Sequence, residues 1–337
     1  MGFTEVDEAF LRRALALARR AAPAALATNP PVGAVIADGE RLLSEGWHQA
    51  YGGPHAEIEA LHRLPPSTPL THATLYVTLE PCCHHGKTPP CTSAILSTGI
   101  RRVVIGTIDP NPLVAGQGVA QLQEAGIEVI LAPRPEPYRR LIRHFALSIQ
   151  TKRPYITLKW AQLKTPTGLP ILGSRSLPQM PISTFWGRVW GHQLRARHTH
   201  IAVGYATWRL DRPRLTTRLF PGPSPLPIVF YDPRRGAPDL PTTIPAIPLY
   251  PLADTLHALY QDFHVGSLLI EGGAQTLQAF LSSGLYDEIH ILTRRTHRTT
   301  LPKNPVWAPA TPLHLPFRPY RLSRTETVAV YRRPITW

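Results

Sequence analysis

A histidine, a glutamate and two cysteines have the residue types and the spacing of a catalytic zinc site. His55 and Glu57 form a His-x-Glu motif, and Cys82 and Cys91 follow downstream. Zinc binds imidazole nitrogen and thiolate well, and three protein ligands leave a fourth position for water, which is typical of catalytic sites. Glu57, two residues after the histidine, can then move protons from that water to a leaving amine. The pattern predicts a zinc-dependent hydrolytic deaminase with His55, Cys82 and Cys91 as ligands.

The alternative is a structural zinc site or a chance cluster. A His-x-Glu pair is a weak signal by itself, but here a predicted strand ends in Leu79-Glu80-Pro81-Cys82 and the second cysteine opens a predicted helix. Together these features form the signature of zinc deaminases. Cys83 breaks the ligand spacing and is interpreted as a bystander, whereas His84 and His85 are interpreted as loop residues that shape the pocket.

The elements that must position these residues alternate between helix and strand. Apolar residues at helical spacing predict an amphipathic first helix over residues 8–22. Short apolar runs predict strands at 32–37, 42–47, 74–79, 102–107 and 128–131, with helices at 55–64, 92–98 and 119–125. Such alternation predicts an α/β fold in which both faces of the sheet are covered.

The character of the chain changes after about Pro133, where prolines become frequent. A connecting helix at 138–147 is followed by predicted strands at 155–160, 201–204, 227–231, 267–270 and 288–292, and by helices at 188–197 and 275–282. The length of 337 residues also suits two domains. We therefore expect a first domain over residues 1–150 and a second over 151–337.

The composition limits the class of protein and its partners. A hydrophobic fraction of 43% and a charged fraction of 17% are globular values, and no apolar run is long enough to span a membrane. The acidic start is unlike a secretory signal, and three cysteines make no disulfide framework, so we expect a cytoplasmic protein. The net charge of +14 suits nucleic acid or phosphorylated small molecules. Because the arginines are scattered, a generally arginine-rich proteome is the simplest explanation.

The loop between the two cysteines carries a family resemblance. Eight residues separate Cys82 from Cys91, where common deaminases of this superfamily have two. This long loop resembles the bifunctional deaminase–reductase family of riboflavin biosynthesis. Residues 29–36, 45–49, 53–57, 75–80 and 109–116 resemble the same family. The resemblance implies a cytidine-deaminase-like α/β/α fold for the N-terminal domain.

The resemblance also implies a substrate, a diaminopyrimidinone that carries a phosphoribosylamino group and loses a ring amine. The family's substrate contacts correspond to Asn29, His48, Lys87, Asp109 and Asn111. Lys87 can meet a phosphate as a point charge. Asn29 and Asn111 both precede proline, so turn formation is an alternative explanation for each.

The second domain resembles the family's reductase, which is similar to dihydrofolate reductase and takes hydride from NADPH. The resemblance implies that this α/β domain reduces the ribose of the deaminated intermediate to a ribityl chain. It places Lys159, Arg195, Asp211, Arg218 and Glu271 at the substrate, with the arginines on its phosphate. It places Gly204, Thr207, Gly272 and Gly273 near the cofactor. Members of the family often assemble through this domain, so a homo-oligomer is also an expectation.

The reductase half departs from the family pattern in three places. The turn at 164–168 lacks the usual Asp, Met180-Pro181 stands where a Trp is usual, and Arg212 replaces an acidic or amide residue. One alternative is therefore a deaminase whose second domain is a degraded reductase used for assembly. A nucleic-acid deaminase is a third hypothesis, but it needs a basic groove with aromatic platforms, and no basic–aromatic run is seen. We expect a phosphorylated pyrimidine as partner, with no membrane and no nucleic acid.

Overall fold

The computed structural model describes residues 2–84, 89–112, 114–164, 171–174, 182–295, 305–309 and 315–335. It divides the chain into two compact units that meet in the sequence between Thr151 and Lys152. Among the described residues, none of the helices combines the length and apolar character that a membrane span requires.

The first unit is built on a five-stranded sheet. Its elements are α1 (Glu5–Ala18), α2 (Pro23–Leu26), β1 (Gly33–Asp38), β2 (Arg41–Trp47), α3 (Ala56–His62), β3 (Ala73–Val77), α4 (Cys91–Leu96), β4 (Arg102–Ile105), α5 (Gln117–Glu124), β5 (Glu128–Leu131), α6 (Glu136–Leu141) and α7 (Arg143–Thr151). The strand order is β2-β1-β3-β4-β5. β1 is antiparallel to both neighbours, whereas β3, β4 and β5 are parallel, so their carboxyl ends share one edge.

Both faces of this sheet are covered, as the alternation of elements predicted. Leu11 and Leu15 of α1 pack with Tyr76 on one face, and Ile95 of α4 and Leu122 of α5 pack with strand residues on the other. The first helix begins earlier and ends earlier than the sequence pattern indicated. Thr4 caps it through the backbone N–H of Asp7 (3.2 Å), and the chain starts the separate α2 at Pro23.

The second unit is a larger mixed sheet. Its elements are β6 (Tyr155–Lys164), β7 (Ile171–Ser174), α8 (Phe185–Arg195), β8 (His200–Gly204), α9 (Tyr205–Asp211), β9 (Leu226–Tyr231), β10 (Ala246–Pro248), α10 (Leu252–Gln261), β11 (Ser267–Glu271), α11 (Ala274–Ser283), β12 (Glu288–Arg295), β13 (Pro305–Trp307), β14 (Arg318–Arg321) and β15 (Glu326–Arg332). The order is β10-β9-β8-β11-β6-β12-β15-β14, with β7 paired to β6 and β13 paired to β7. Neighbours from β10 to β12 are parallel, and β15 and β14 close the sheet antiparallel.

The two faces of this sheet have different helical cover. Leu256 of α10 and Phe280 of α11 pack into the core on one face, and Leu194 of α8 packs on the other. Sequence patterning missed α9 and α10. α9 has no buried residue and hence no apolar stripe, whereas α10 follows a proline-rich stretch that masked its spacing.

Candidate active sites

The three predicted zinc ligands converge at the carboxyl end of β3. His55 precedes α3, Cys82 lies in the loop after β3, and Cys91 is the first residue of α4. The His55 Nδ1 atom is 3.2 Å from the Cys91 sulfur and 3.4 Å from the Cys82 sulfur. The three ligand atoms all lie within 4.8 Å of one another. In a tetrahedral zinc site, nitrogen and sulfur ligands are about 3.6 Å apart, so these residues fit a zinc ion.

The environment of Cys82 favours the thiolate that zinc binds. The backbone N–H of Cys91, at the start of α4, donates to the Cys82 sulfur at 3.3 Å. Hydrogen bonds from Cys91 and His55 lower the pKa of the Cys82 thiol, although burial opposes them. Thiolate is the form that ligates metals. The start of α4 and the imidazole therefore prepare Cys82 to bind a cation, whereas the hydrogen bond with Cys82 and burial raise the pKa of the Cys91 thiol.

Glu57 lies in the first turn of α3, and its residue is only 3% exposed. Burial raises the pKa of Glu57 to about 7, although the neighbouring His55 works in the opposite direction. A carboxyl group whose pKa is close to the working pH can both accept and release a proton, which a shuttle must do. The position of Glu57 beside the ligand cluster therefore matches its predicted role.

A cavity of about 310 Å³ opens onto this cluster. Its lining includes four of the five substrate contacts that the family resemblance implied, namely Asn29, His48, Asp109 and Asn111. His84 also lines it, together with Phe145 and Ile149 of α7, which sequence reasoning did not single out. Lys87 and His85 lie outside the described residues. The structure thus brings the metal ligands, Glu57 and these polar side chains to one pocket.

A hydrogen-bond chain fixes how Asn29 faces this pocket. The His48 Nδ1 atom is 2.9 Å from the carbonyl oxygen of Pro54, which can only accept, so Nδ1 carries the proton. Burial lowers the pKa of His48, so its ring is neutral and its Nε2 atom accepts. Asn29 donates its amide N–H to Nε2 at 3.0 Å. The Asn29 carbonyl oxygen is then directed away from His48, where it can accept an N–H from a ligand.

Asp109 follows β4 and is held in a tight local turn. The backbone N–H of Asn111 donates to its carboxylate at 2.8 Å. Burial raises the pKa of Asp109 to about 6, although the hydrogen bond from Asn111 favours the charged form. A carboxyl group of this kind in a pocket is typical of a functional site.

In the second unit, Glu271 ends β11 and lies opposite Lys159 in the middle of the parallel neighbour β6. The Lys159 ammonium is 3.8 Å from the Glu271 carboxylate, and Arg195 of α8 hydrogen-bonds both carboxylate oxygens, at 3.1 and 2.7 Å. Burial opposes ionisation of Glu271, but Lys159 and Arg195 outweigh it and lower its pKa to about 2. Glu271 is therefore a carboxylate at any physiological pH.

Asp211 is the last residue of α9, and Arg218 lies in the segment that follows this helix. The backbone N–H of Arg218 donates to Nδ1 of His192 at 2.8 Å. Burial and the nearby Arg195 lower the pKa of His192 to about 4, which keeps its ring neutral and able to accept. The Arg218 guanidinium contacts Thr216 Oγ1 at 3.0 Å and is exposed. Sequence reasoning missed His192, since a lone histidine in a predicted helix gives no signal.

A cavity of about 1680 Å³ connects the Lys159–Glu271 pair with the predicted cofactor site. Its lining includes Lys159, Arg195, Asp211 and Glu271 as well as Gly204, Thr207, Gly272 and Gly273. Four of the five predicted substrate residues and all four predicted cofactor residues therefore share one cavity, whereas Arg218 is not part of its lining.

Two helix starts meet in the cofactor part of that cavity. Gly204 precedes α9, and Gly273 precedes α11 in a left-handed conformation with φ of +77°. A Cβ atom on Gly204 would lie 2.4 Å from Thr276 Oγ1, and one on Gly273 would lie 3.2 Å from Thr207 Oγ1. Only glycine allows this close approach. Backbone N–H groups at a helix start bind phosphate, so these residues fit the diphosphate of a dinucleotide. Thr276 is a member of this site that sequence reasoning missed.

The fold and the two sites define a zinc-dependent deaminase followed by an NADPH-dependent reductase on one chain. Residues 4–107 match the cytidine and deoxycytidylate deaminase zinc-binding region, and residues 173–294 match the RibD C-terminal domain. A riboflavin biosynthesis protein RibD from Aquifex aeolicus is 36% identical over 313 residues, which cover 85% of this chain and 86% of the relative.

Two similar solved structures extend the match over both units. RibD of Acinetobacter baumannii has a TM-score of 0.81 at 28% identity and covers 97% of this chain and 99% of its own. A diaminohydroxyphosphoribosylaminopyrimidine deaminase/5-amino-6-(5-phosphoribosylamino)uracil reductase of Thermotoga maritima has a TM-score of 0.79 at 31% identity, with coverages of 98% and 99%.

The chain belongs to the RibD family of bifunctional riboflavin-biosynthesis proteins. The predicted fold class is confirmed, with a cytidine-deaminase-like unit and a dihydrofolate-reductase-like unit. The predicted pair of activities and the two cofactors, zinc and NADPH, are confirmed as well.

Proposed function

We propose that this chain carries out two consecutive steps on one phosphorylated pyrimidine. Residues 1–150 hydrolytically deaminate a diaminopyrimidinone that carries a phosphoribosylamino group. Residues 151–337 then reduce its ribose to a ribityl chain. The observation that carries this proposal is the presence, in one chain, of the His55, Cys82 and Cys91 cluster and of the cavity that joins Lys159 and Glu271 to two helix starts.

In the deaminase step, Glu57 is the residue that moves protons. Zinc, when bound, lowers the pKa of a coordinated water so that hydroxide is available near neutral pH. The Glu57 carboxylate takes the proton from the water and delivers it to the ring amine, which leaves as ammonia while a carbonyl replaces it. Its pKa of about 7 suits both transfers. Because Glu57 is buried, bulk solvent does not compete for the proton.

The remaining polar residues of this pocket hold the ring. Asn29 presents its carbonyl oxygen, which accepts an N–H of the substrate, because His48 holds the amide N–H on the other side. Asp109 and Asn111 form one turn, and Asn111 reads a further polar edge of the ring. Lys87 is assigned to the phosphate on the strength of the sequence match in residues 82–91 alone.

In the reductase step, the residues of the cofactor site would hold NADPH, which when bound would supply a hydride for the ribose carbon. The heteroatom that gains electron density there needs a proton, and the Lys159 ammonium can donate one. Glu271 stays ionised and holds Lys159 in place from 3.8 Å. Gly204, Thr207, Gly272 and Gly273 receive the cofactor, while Asp211 and Arg195 contact the substrate in the same cavity. Arg218 is exposed outside the cavity lining and is assigned to the phosphate by the family resemblance.

Assembly and compartment are the remaining parts of the proposal. Phe185 and Trp186 at the start of α8 are 51% and 58% exposed, and their rings contact each other. Exposed aromatic pairs are enriched in protein interfaces, which supports a homo-oligomer that assembles through the reductase unit. The cytoplasm is the proposed compartment, because zinc-binding thiolates must stay reduced.

A two-part assay on zinc-loaded protein tests the proposed function. The phosphoribosylamino-pyrimidinone is added and ammonia release is followed; NADPH is then added and its absorbance is recorded. We expect ammonia first and NADPH consumption second. Ammonia without NADPH consumption would favour a deaminase with a degraded reductase domain. An absence of ammonia release from zinc-loaded protein would contradict the proposed substrate.

A further inference from the structure

Glu80 is a buried carboxylate that the deaminase chemistry leaves without a role. It lies between β3 and the ligand Cys82 and is 5% exposed. Its Oε2 atom accepts the backbone N–H groups of Asp109 at 3.1 Å and Gly116 at 3.0 Å. Its Oε1 atom accepts the backbone N–H of Val119 at 3.1 Å. Both carboxylate oxygens of Glu80 therefore accept backbone N–H groups from a later segment of the chain, between Asp109 and Val119.

One of these bonds replaces a missing helix cap. α5 begins after Gly116, which has no side chain to cap it, so the N–H of Val119 in the first turn needs an acceptor from elsewhere. Glu80 provides it and places a negative charge at the positive end of the helix. The approach is close, since a Cβ atom on Gly118 would lie 2.2 Å from the carbonyl oxygen of Pro81. The start of α5 is therefore packed directly on the segment that leads to Cys82.

The other two bonds fix the turn that lines the substrate pocket. The segment from Asp109 to Gly116, which is described except at Leu113, carries Asp109 and Asn111. Glu80 holds its first residue and its last residue with the same carboxylate oxygen. The Asn111 N–H then closes on the Asp109 carboxylate at 2.8 Å. The position of both pocket residues relative to the metal ligands thus depends on Glu80.

We propose that Glu80 is a positioning residue of the deaminase, which sets substrate affinity by holding the Asp109–Asn111 turn at the edge of the ligand cluster. This inference rests on the proposed function, in which Asp109 and Asn111 face the substrate. Glutamine in place of Glu80 keeps the shape of the side chain but turns an NH₂ group toward at least one backbone N–H. Because Oε2 accepts from both ends of the turn, an NH₂ group in its place removes both anchors of the turn. An NH₂ group in place of Oε1 instead removes the acceptor for the Val119 N–H at the start of α5, directly after the turn. The zinc ligands and Glu57 keep their contacts in either case.

The experiment measures kcat and KM of deamination, zinc content and melting temperature for full-length Glu80→Gln. We expect KM to rise about tenfold or more, kcat to change by less than about twofold, and zinc content to stay unchanged. The reductase rate on deaminated intermediate serves as an internal control and should not change. Glu80→Asp keeps the charge but shortens the reach, so its KM should lie between those of the wild type and Glu80→Gln. If Glu80→Gln does not fold, the KM of Glu80→Asp decides the test.

Asp7→Asn is the matched control, since Asp7 is a buried carboxylate of the same unit that accepts the backbone N–H of Thr4, far in sequence from the pocket segments. It should lower the melting temperature without raising KM. Equal KM increases in Asp7→Asn and Glu80→Gln, or a fall in kcat at constant KM in Glu80→Gln, would overturn the inference. Asn111→Ala distinguishes a failure of the substrate assignment from a failure of the role proposed for Glu80. An unchanged KM in Asn111→Ala would contradict the substrate assignment itself, whereas a raised KM there with a normal KM in Glu80→Gln would contradict only the role of Glu80.

Discussion

Arg195 donates two parallel hydrogen bonds to the carboxylate of Glu271, from Nε to Oε1 at 3.1 Å and from Nη2 to Oε2 at 2.7 Å. Its remaining Nη1 donates to the carbonyl oxygen of Thr216 at 2.8 Å. The family resemblance implied that Arg195 meets the substrate phosphate; these protein acceptors use three of the five N–H groups of its guanidinium, and the side chain lines the cavity. Arg195 therefore holds the carboxylate of Glu271 and the Thr216 segment in place.

The Arg195–Glu271–Lys159 cluster predicts that Lys159→Ala spares deamination and lowers NADPH consumption by about 100-fold or more. The ammonium is the proton donor in the proposed step, and its removal also leaves the Glu271 carboxylate with one partner fewer. Both rates are measured on the same protein sample. Lys164→Ala is the matched control, because Lys164 ends the same strand and is exposed. A parallel loss of ammonia release in Lys159→Ala would show that the two sites do not act independently.

Glu57→Gln should keep zinc but lose deamination by a factor of about 100 to 10,000, because only the proton transfer is removed. Ammonia release and zinc content are the two measurements. Glu59→Gln, on the same helix, is the control and should retain activity, since Glu59 pairs with Arg63 at 3.1 Å on the surface. Near-normal turnover in Glu57→Gln would show that another group moves the protons.

Cys82→Ser and Cys91→Ser should each lose bound zinc together with deaminase activity. A serine hydroxyl is a poorer zinc ligand than a thiolate, and each substitution leaves only two good donors. Metal analysis after exposure to a weak chelator measures the loss. Cys83→Ser should keep its zinc, because Cys83 is not part of the cluster of ligand atoms. Full zinc occupancy in both ligand variants would refute the ligand set.

Asp7 and Arg102 predict an acid-sensitive contribution to the stability of the first unit. Arg102 donates to both oxygens of Asp7, at 2.7 and 2.9 Å. Burial raises the pKa of Asp7, but the hydrogen bonds from Arg102 and Thr4 outweigh this and lower it from 3.8 to about 2. Because the folded-state pKa is the lower one, the contribution is complete above the unfolded-state pKa. At pH 7 it amounts to about 2 kcal/mol, and it is lost as the pH falls from about 4 to about 2.

Denaturant unfolding of the wild type and Asp7→Asn at several pH values tests this. The difference in free energy of unfolding should be constant above about pH 5 and should shrink towards zero below about pH 3. Asp38→Asn removes an exposed acid from the same unit and should change stability by less than about 0.5 kcal/mol. A difference between the wild type and Asp7→Asn that persists unchanged at pH 2 would contradict the ion-pair explanation.

The sequence indicates a site when the types and the spacing of its residues are typical of one kind of chemistry. His55 and Glu57 are two residues apart, and the loop from Cys82 to Cys91 is short, so local spacing was enough to predict the metal centre. Short apolar runs and helical apolar spacing likewise predicted most strands and helices, because the central strands are buried on both faces and most helices on one. Apolar patterning did not predict α9, because none of its residues is buried.

The sequence by itself predicted the zinc ligands, the proton shuttle and the alternating α/β architecture, since each depends on residues that are close in the chain or on a repeated pattern. The resemblance to a known family predicted the pair of activities. Only the tertiary structure decided which side chains hold those residues in place. Arg195 meets Glu271 across 76 residues, and Glu80 caps a helix whose first turn lies 39 residues further on. Such partners have no fixed spacing, because parallel strands bring together segments separated by crossovers of variable length.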